Sequence, residues 1–82
     1  IYASGDSCIE INGGVFEAAK PEWTLNCKDA DYKAGKANII VKGGSFKHFD
    51  PANNNAEGPN TCFVADGYKS TKDGDYYIVT PA

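Results

Sequence analysis

An 82-residue chain that is 41% hydrophobic and 23% charged is too apolar for a disordered tail and too short for two domains. All eight cationic residues are Lys, so no guanidinium fork can grip phosphate or carboxylate through paired hydrogen bonds. The net charge of −3 has the wrong sign for steering toward nucleic acid or anionic lipid. No apolar run approaches the roughly 20 residues needed to span a bilayer, and the opening at Ile1, without Met or a signal-like stretch, reads as a processed piece of something longer.

The first signal along the chain is an internal repeat. Ile9 to Phe16 reads IEINGGVF and Ile39 to Phe46 reads IIVKGGSF, so Ile, Gly, Gly and Phe recur with a shift of 30 residues and Val41 answers Ile11. A further shift reaches KSTKDGDY, Lys69 to Tyr76, a weak third copy keeping one Gly and an aromatic. A fixed period of this length is the signature of stacked repeats, each burying its apolar face against the next. Ile9 and Ile11 alternate with Glu10 and Asn12, and Ala37, Ile39 and Val41 with Asn38, Ile40 and Lys42, which is the period of a half-buried strand. Simple alternation through the glycines would bury Val15 and Ser45 and expose Phe16 and Phe46. Adjacent glycines reach backbone conformations closed to other residues, so each doublet predicts a corner that resets the phase and turns both rings inward, one upon the other.

Between the copies, Pro21 bars a helix running on from Ala18. Trp23, Leu25 and Cys27 alternate as another short strand, and the turn-rich stretch Lys28 to Lys36 closes the circuit. His48 to Asn60, dense in Asn, Gly and Pro, is the one long loop. Cys62 to Ala65 is a short apolar run, Asp66-Gly67 a turn, and Asp73-Gly74 introduces a final strand from Tyr76 to Thr80 that Pro81 stops. No stretch of helical length shows helical periodicity, so the chain reads as all-β. Cys8, Cys27 and Cys62 are odd in number and lack the paired spacing of a zinc site. They read as three reduced thiols packed as small apolar side chains, suited to assembly in a cytosol, with one disulfide plus a free thiol as the alternative.

The order of these motifs carries a resemblance. IleIleValLysGlyGlySerPhe (39 to 46), PheAspProAlaAsnAsnAsnAlaGluGly (49 to 58), PheValAlaAspGlyTyr (63 to 68) and TyrTyrIleVal (76 to 79) resemble the last coils of right-handed parallel β-helix proteins. Such sequences close bacteriophage tail-fibre or tailspike chains and related gut-bacterial surface adhesins. The resemblance, over residues 9 to 81, implies a short right-handed parallel β-helix of stacked coils with a C-terminal cap. It also implies a virion or cell-surface location and assembly as a trimer.

An enzyme would have to be built from few residues. His48 beside Asp50, with Cys62 further on, could form a thiol and base pair only if the fold brought them together. Asp50, Glu57 and Asp66 are the kind of carboxylates a glycosidase pairs, but any chain with eleven acids offers such candidates. Polysaccharide lyases on the β-helix fold typically use an Arg or Lys base near a cation, and Arg is absent. AspAlaAsp at 29 to 31 and AspGlyAsp at 73 to 75 space carboxylates as calcium loops do, yet neither continues to the final Glu, and turn chemistry explains both. The reading is therefore a non-enzyme with no catalytic residue, metal or cofactor. Its candidate binding residues are Trp23, His48, Asp50, Asn53, Asn54 and Asn55, since aromatic faces and side-chain amides are what a carbohydrate receptor would meet.

A short stack exposes unpaired strand edges at its ends, so repeat proteins need atypical closing units. The long loop and the degenerate third copy fit a C-terminal cap on residues 1 to 82 taken as a single domain. The expected role is a structural, receptor-facing module, with no nucleic-acid partner and no membrane insertion. The alternatives are a capping segment of a polysaccharide-degrading enzyme and a small sugar- or calcium-binding domain.

Overall fold

The alternating apolar residues form strands, and the strands pair at the period of the repeat. The computed structural model describes residues 1–82. It contains β1 (Tyr2–Ala3), β2 (Ser7–Ile11), β3 (Val15–Phe16), a 3₁₀ turn (Pro21–Trp23), β4 (Asn26–Cys27), α1 (Asp29–Lys33), β5 (Ala37–Val41), β6 (Ser45–Lys47), β7 (Tyr68–Asp73) and β8 (Tyr76–Pro81). The chain is mostly strand, with little helix. β2 pairs with β5 in parallel, Ile9 facing Ile39 and Ile11 facing Val41, and β3 pairs with β6 in the same sense, Phe16 facing Phe46. β1 pairs in parallel with β4, but there Tyr2 faces Asn26, a shorter offset. The difference is taken up by α1 and its flanks, which lengthen the link from β4 to β5 relative to the link from β1 to β2.

The glycine doublets hold the two layers at close range. Gly14 and Gly44 sit at φ of 107° and 103°, a region L side chains rarely adopt. The chain turns there, and the phase resets as the sequence implies: Val15 is 72% exposed while Phe46 is fully buried. The rings of Phe16 and Phe46 stack with centroids 5.0 Å apart and planes 12° from parallel. A side chain at Gly43 would place its Cβ 2.4 Å from the carbonyl oxygen of Asn12, so the layers approach to a distance only glycine allows. The Lys42 and Ser45 amides donate to the Ile11 and Gly14 carbonyls across this contact.

The third repeat does not continue the parallel pairing. Lys69 to Tyr76 falls on β7 and the hairpin turn, and β8 returns antiparallel to lie between β7 and β6, so that Phe46 faces Tyr77. The parallel continuation from β5 is instead a single bridge, Val41 to Val64, at a shorter spacing. Gly74, at φ 62°, is the first central residue of the two-residue hairpin loop and supplies the positive φ the turn requires.

Other expectations need correction. Trp23 to Cys27 is not one strand: Pro21 starts a 3₁₀ turn, where a proline suits the first position, and only Asn26–Cys27 is extended. Leu25 and Cys27 are still buried, whereas Trp23 is half-exposed. The stretch after Lys28 forms the one-turn helix α1, with Asp29 and Asp31 in its first turn and Lys33 in its last, matching the helix dipole. The three cysteines are free, as read, but only Cys27 is packed; Cys8 and Cys62 are exposed. Within the long loop, Phe49 and Ala56 belong to the core and Pro51 is buried.

Substituting Phe46 with Ala removes the ring on which Phe16 stacks and against which Phe49 tilts at 6.4 Å. Chemical denaturation should record a loss of about 3–5 kcal/mol, the range for emptying a buried aromatic site.

Candidate functional site

The segment from His48 to Thr61 is shaped by its own side chains. His48 takes a left-handed backbone at φ 55°. Its amide donates to the Asp75 carbonyl at 2.8 Å, tying the loop's start to the β7–β8 turn, and its Nε2 lies 3.7 Å from Asp75 Oδ1. Phe49 then drops into the core. Asp50 Oδ1 accepts the Ala52 amide at 2.9 Å, while its main-chain carbonyl accepts the Asn53 amide and Asn54 Nδ2. This is the turn habit of Asp before Pro. Asn54 Oδ1 accepts the Ala56 amide, and the Asn54 main chain pairs with Thr61 in both directions. The Thr61 hydroxyl in turn accepts from the Glu57 amide and donates to the Gly58 carbonyl.

Five of the six expected binding residues converge. His48, Asp50, Asn53, Asn54 and Asn55 line a cleft of about 260 Å³, joined by Glu22 and Tyr77. Their roles differ. Asn54 spends its amide on the loop itself, whereas Asn53 and Asn55 are exposed and their side chains enter no hydrogen bond of the fold. Each keeps one donor group and one acceptor for an outside partner. Trp23 follows Glu22 and is half-exposed, but it does not line the cleft. Glu22 and Tyr77 escape sequence reasoning because the 3₁₀ turn and the antiparallel return of β8 bring them in; Pro21 and Asp73-Gly74 mark the turns, but nothing local says that either residue ends beside the loop. His48 and Tyr77 also line an adjoining depression of about 220 Å³ with Lys72 and Asp75, so the two hollows share these residues.

The residues considered for other chemistry are occupied locally. The Cys62 thiol donates to the Val64 carbonyl at 3.8 Å. Asp31 Oδ2 accepts the Gly5 amide at 2.7 Å, while Asp73 ends β7 and Asp75 is the second residue of the hairpin loop. No group of three or more His, Cys, Asp or Glu side chains is gathered as metal ligands. No known protein family, curated protein or solved structure matches the chain.

The loop is anchored from its far end by Glu57, whose Oε2 accepts the Cys27 amide at 2.8 Å while Oε1 is buried without a partner. Burial pushes the Glu57 carboxyl above its ordinary value, against the lowering effect of the Cys27 amide. Burial first, and then the Glu57 charge, push the Cys27 thiol from 9.0 up to about 11. Both folded values are raised, so each group's contribution to stability is complete below its unfolded pKa and is lost as pH rises through its folded one. Denaturation midpoints should therefore fall between pH 9 and 11, less steeply in Cys27→Ala. Glu57→Gln keeps an acceptor for the Cys27 amide and removes the buried charge, so it should match or exceed the parent at pH 7, with the difference shrinking toward pH 4. Glu57→Ala leaves that amide unpaired and should cost about 1–3 kcal/mol.

Proposed function

We propose that this chain is a non-enzymatic, receptor-facing module: the terminal portion of a short right-handed parallel β-helix, of the kind that closes a phage fibre or a bacterial surface adhesin. In this reading the pairs β2–β5 and β3–β6 are successive coils, and residues 49 to 81 are the cap. The carrying observation is that the closing segment both covers the last strands and presents the cleft of His48, Asp50, Asn53 and Asn55 outward. A cap at the tip of an extended protein is where a surface receptor is met.

The chemistry of the cleft favours a neutral saccharide. Asp50 and Glu22 accept hydrogen bonds from sugar hydroxyls and repel anionic ones, Asn53 and Asn55 offer both donors and acceptors, and Tyr77 supplies an aromatic face. Two hollows sharing His48 and Tyr77 suit an oligomer rather than a single ring. Trimerisation belongs to the same proposal and would bury further apolar surface beyond a core too small to be strongly stable by itself.

The test is an NMR titration of the 82-residue chain with neutral, sialylated and sulfated oligosaccharides. Neutral oligosaccharides should shift the side-chain amides of Asn53 and Asn55, and the double variant Asn53→Ala/Asn55→Ala should weaken binding at least tenfold without lowering the melting temperature. Binding confined to sulfated chains, or none, would overturn the saccharide assignment. Light scattering that returns only an 8.8 kDa species would remove the trimer.

A further inference from the structure

The two ends of the paired strands are finished differently. On the side of β4, β5 and β6, side chains or later segments take up the outward backbone groups. Glu57 Oε2 accepts the Cys27 amide, Asn38 Oδ1 accepts the Ile39 amide, Phe63 and Ala65 pair with Val41, and β8 pairs with β6. β7, the outermost strand beyond β8, carries Lys69 and Lys72 on a largely exposed edge, the residues that discourage further pairing. On the opposite side, β1, β2 and β3 each have a single neighbour. Ser7 donates to Lys36 and Ile11 accepts from Lys42, so alternation along the strand sends the backbone groups of Cys8 and Glu10 to the free edge. No Lys or Pro guards these strands. Their inward residues are also less covered than their counterparts: Ile9 and Phe16 are half-buried where Ile39 and Phe46 are sealed.

Gly13 makes the asymmetry specific. Its counterpart Gly43 must be glycine, because a Cβ there would meet the Asn12 carbonyl of the layer beneath. Gly13 has no such reason within this chain: its φ is not positive, and a Cβ added to it meets nothing within 4 Å. The missing neighbour is the carbonyl that a further layer would place under Gly13, as Asn12 lies under Gly43.

We propose that the free edge of β1, β2 and β3 seats one more parallel coil of the same polypeptide, lying ahead of Ile1 in sequence, in the register that β2 and β5 already use. This inference rests on the stacked-coil part of the function proposed above and is independent of its saccharide cleft. A second copy of the module is a poorer occupant. Its β4 to β6 side is covered, and two free edges meeting about a twofold axis would run antiparallel, leaving Gly13 unexplained.

The experiment duplicates residues 7–36 in frame after Lys36 of the full chain, so that the inserted copy stacks on the original. The duplicated chain should unfold in one transition at a higher temperature than the parent, with the inserted strands protected from amide exchange. Gly13→Ala should leave the parent and the first copy unchanged. In the inserted copy it should lower the midpoint by roughly 5–20 °C, and Gly43→Ala should do the same in the parent. If the two Gly13→Ala variants of the duplicated chain are indistinguishable, or the insert exchanges like an unfolded chain, the proposal is overturned. A concentration-dependent dimer of the parent that protects the Cys8 and Glu10 amides would assign the edge to a second copy instead. Absence of saccharide binding would leave all of these readouts unaffected.

Discussion

The close approach of one glycine doublet to the other is the constraint on which the structure depends. The Asn12 carbonyl lies against Gly43, the Ser45 amide donates to Gly14, and the Val79 amide donates to Gly44. Each corner is therefore a hydrogen-bonding surface for the segment above it, first for a parallel strand and then for the antiparallel β8. The stacking of Phe16 on Phe46 follows, since turning the chain at the doublets brings two aromatic residues of the same phase into one column. A bulkier residue at Gly43 would part the layers and loosen that column, and with it the contact of Phe46 and Phe49 that seats the long loop.

Closing a parallel stack is a problem of backbone groups more than of apolar area. Continuing with strands would only move the open edge outward. This chain ends the pairing with single acceptors placed where a neighbouring strand's carbonyls would be: a carboxylate oxygen for Cys27 and an amide oxygen for Ile39. The carboxylate is held in a poorly hydrated position with one oxygen unpartnered, and the upward displacement of its titration reflects that cost. The surface ion pairs Lys42–Glu10 and Lys47–Glu17 also link the layers, at 3.0 and 3.2 Å, but exposed pairs of this kind contribute little.

What was legible in the sequence was what repeats or alternates. Ile9, Ile11, Ile39 and Val41 announced their strands by period, and the doublets announced the corners because two adjacent glycines have few other uses. The structure departs from the reading where non-local pairing decides. The KSTKDGDY segment keeps the spacing of the repeat yet becomes an antiparallel hairpin, because Asp73-Gly74 satisfies a tight turn and Tyr76 to Pro81 finds a partner in β6. Trp23 to Cys27 alternates like a strand, but Pro21 fixes a 3₁₀ turn before the alternation can take hold. In the candidate site, the Asn cluster marked the loop, whereas the division between a structural Asn54 and the outward Asn53 and Asn55 arises from the Asn54 side-chain bonds to the Asp50 carbonyl and the Ala56 amide together with its main-chain bridge to Thr61.

On the proposed reading, capping and recognition would be mechanically one task. The loop that delivers Glu57 to Cys27 and Phe49 to the core is the loop that holds Asn53 and Asn55 at its surface, with Asp50 and Asn54 fixing the turns between them. Its backbone is ordered by contacts within the chain, so a ligand taken up at the proposed cleft would have little loop entropy to remove. The same anchoring sets a limit, because a substitution that frees Glu57 or Phe49 would disorder the cleft and uncover β4 together. Residues that could be changed in the proposed cleft without that penalty are those whose side chains lie outside the loop's internal bonding, namely Asn53, Asn55 and, from the 3₁₀ turn, Glu22.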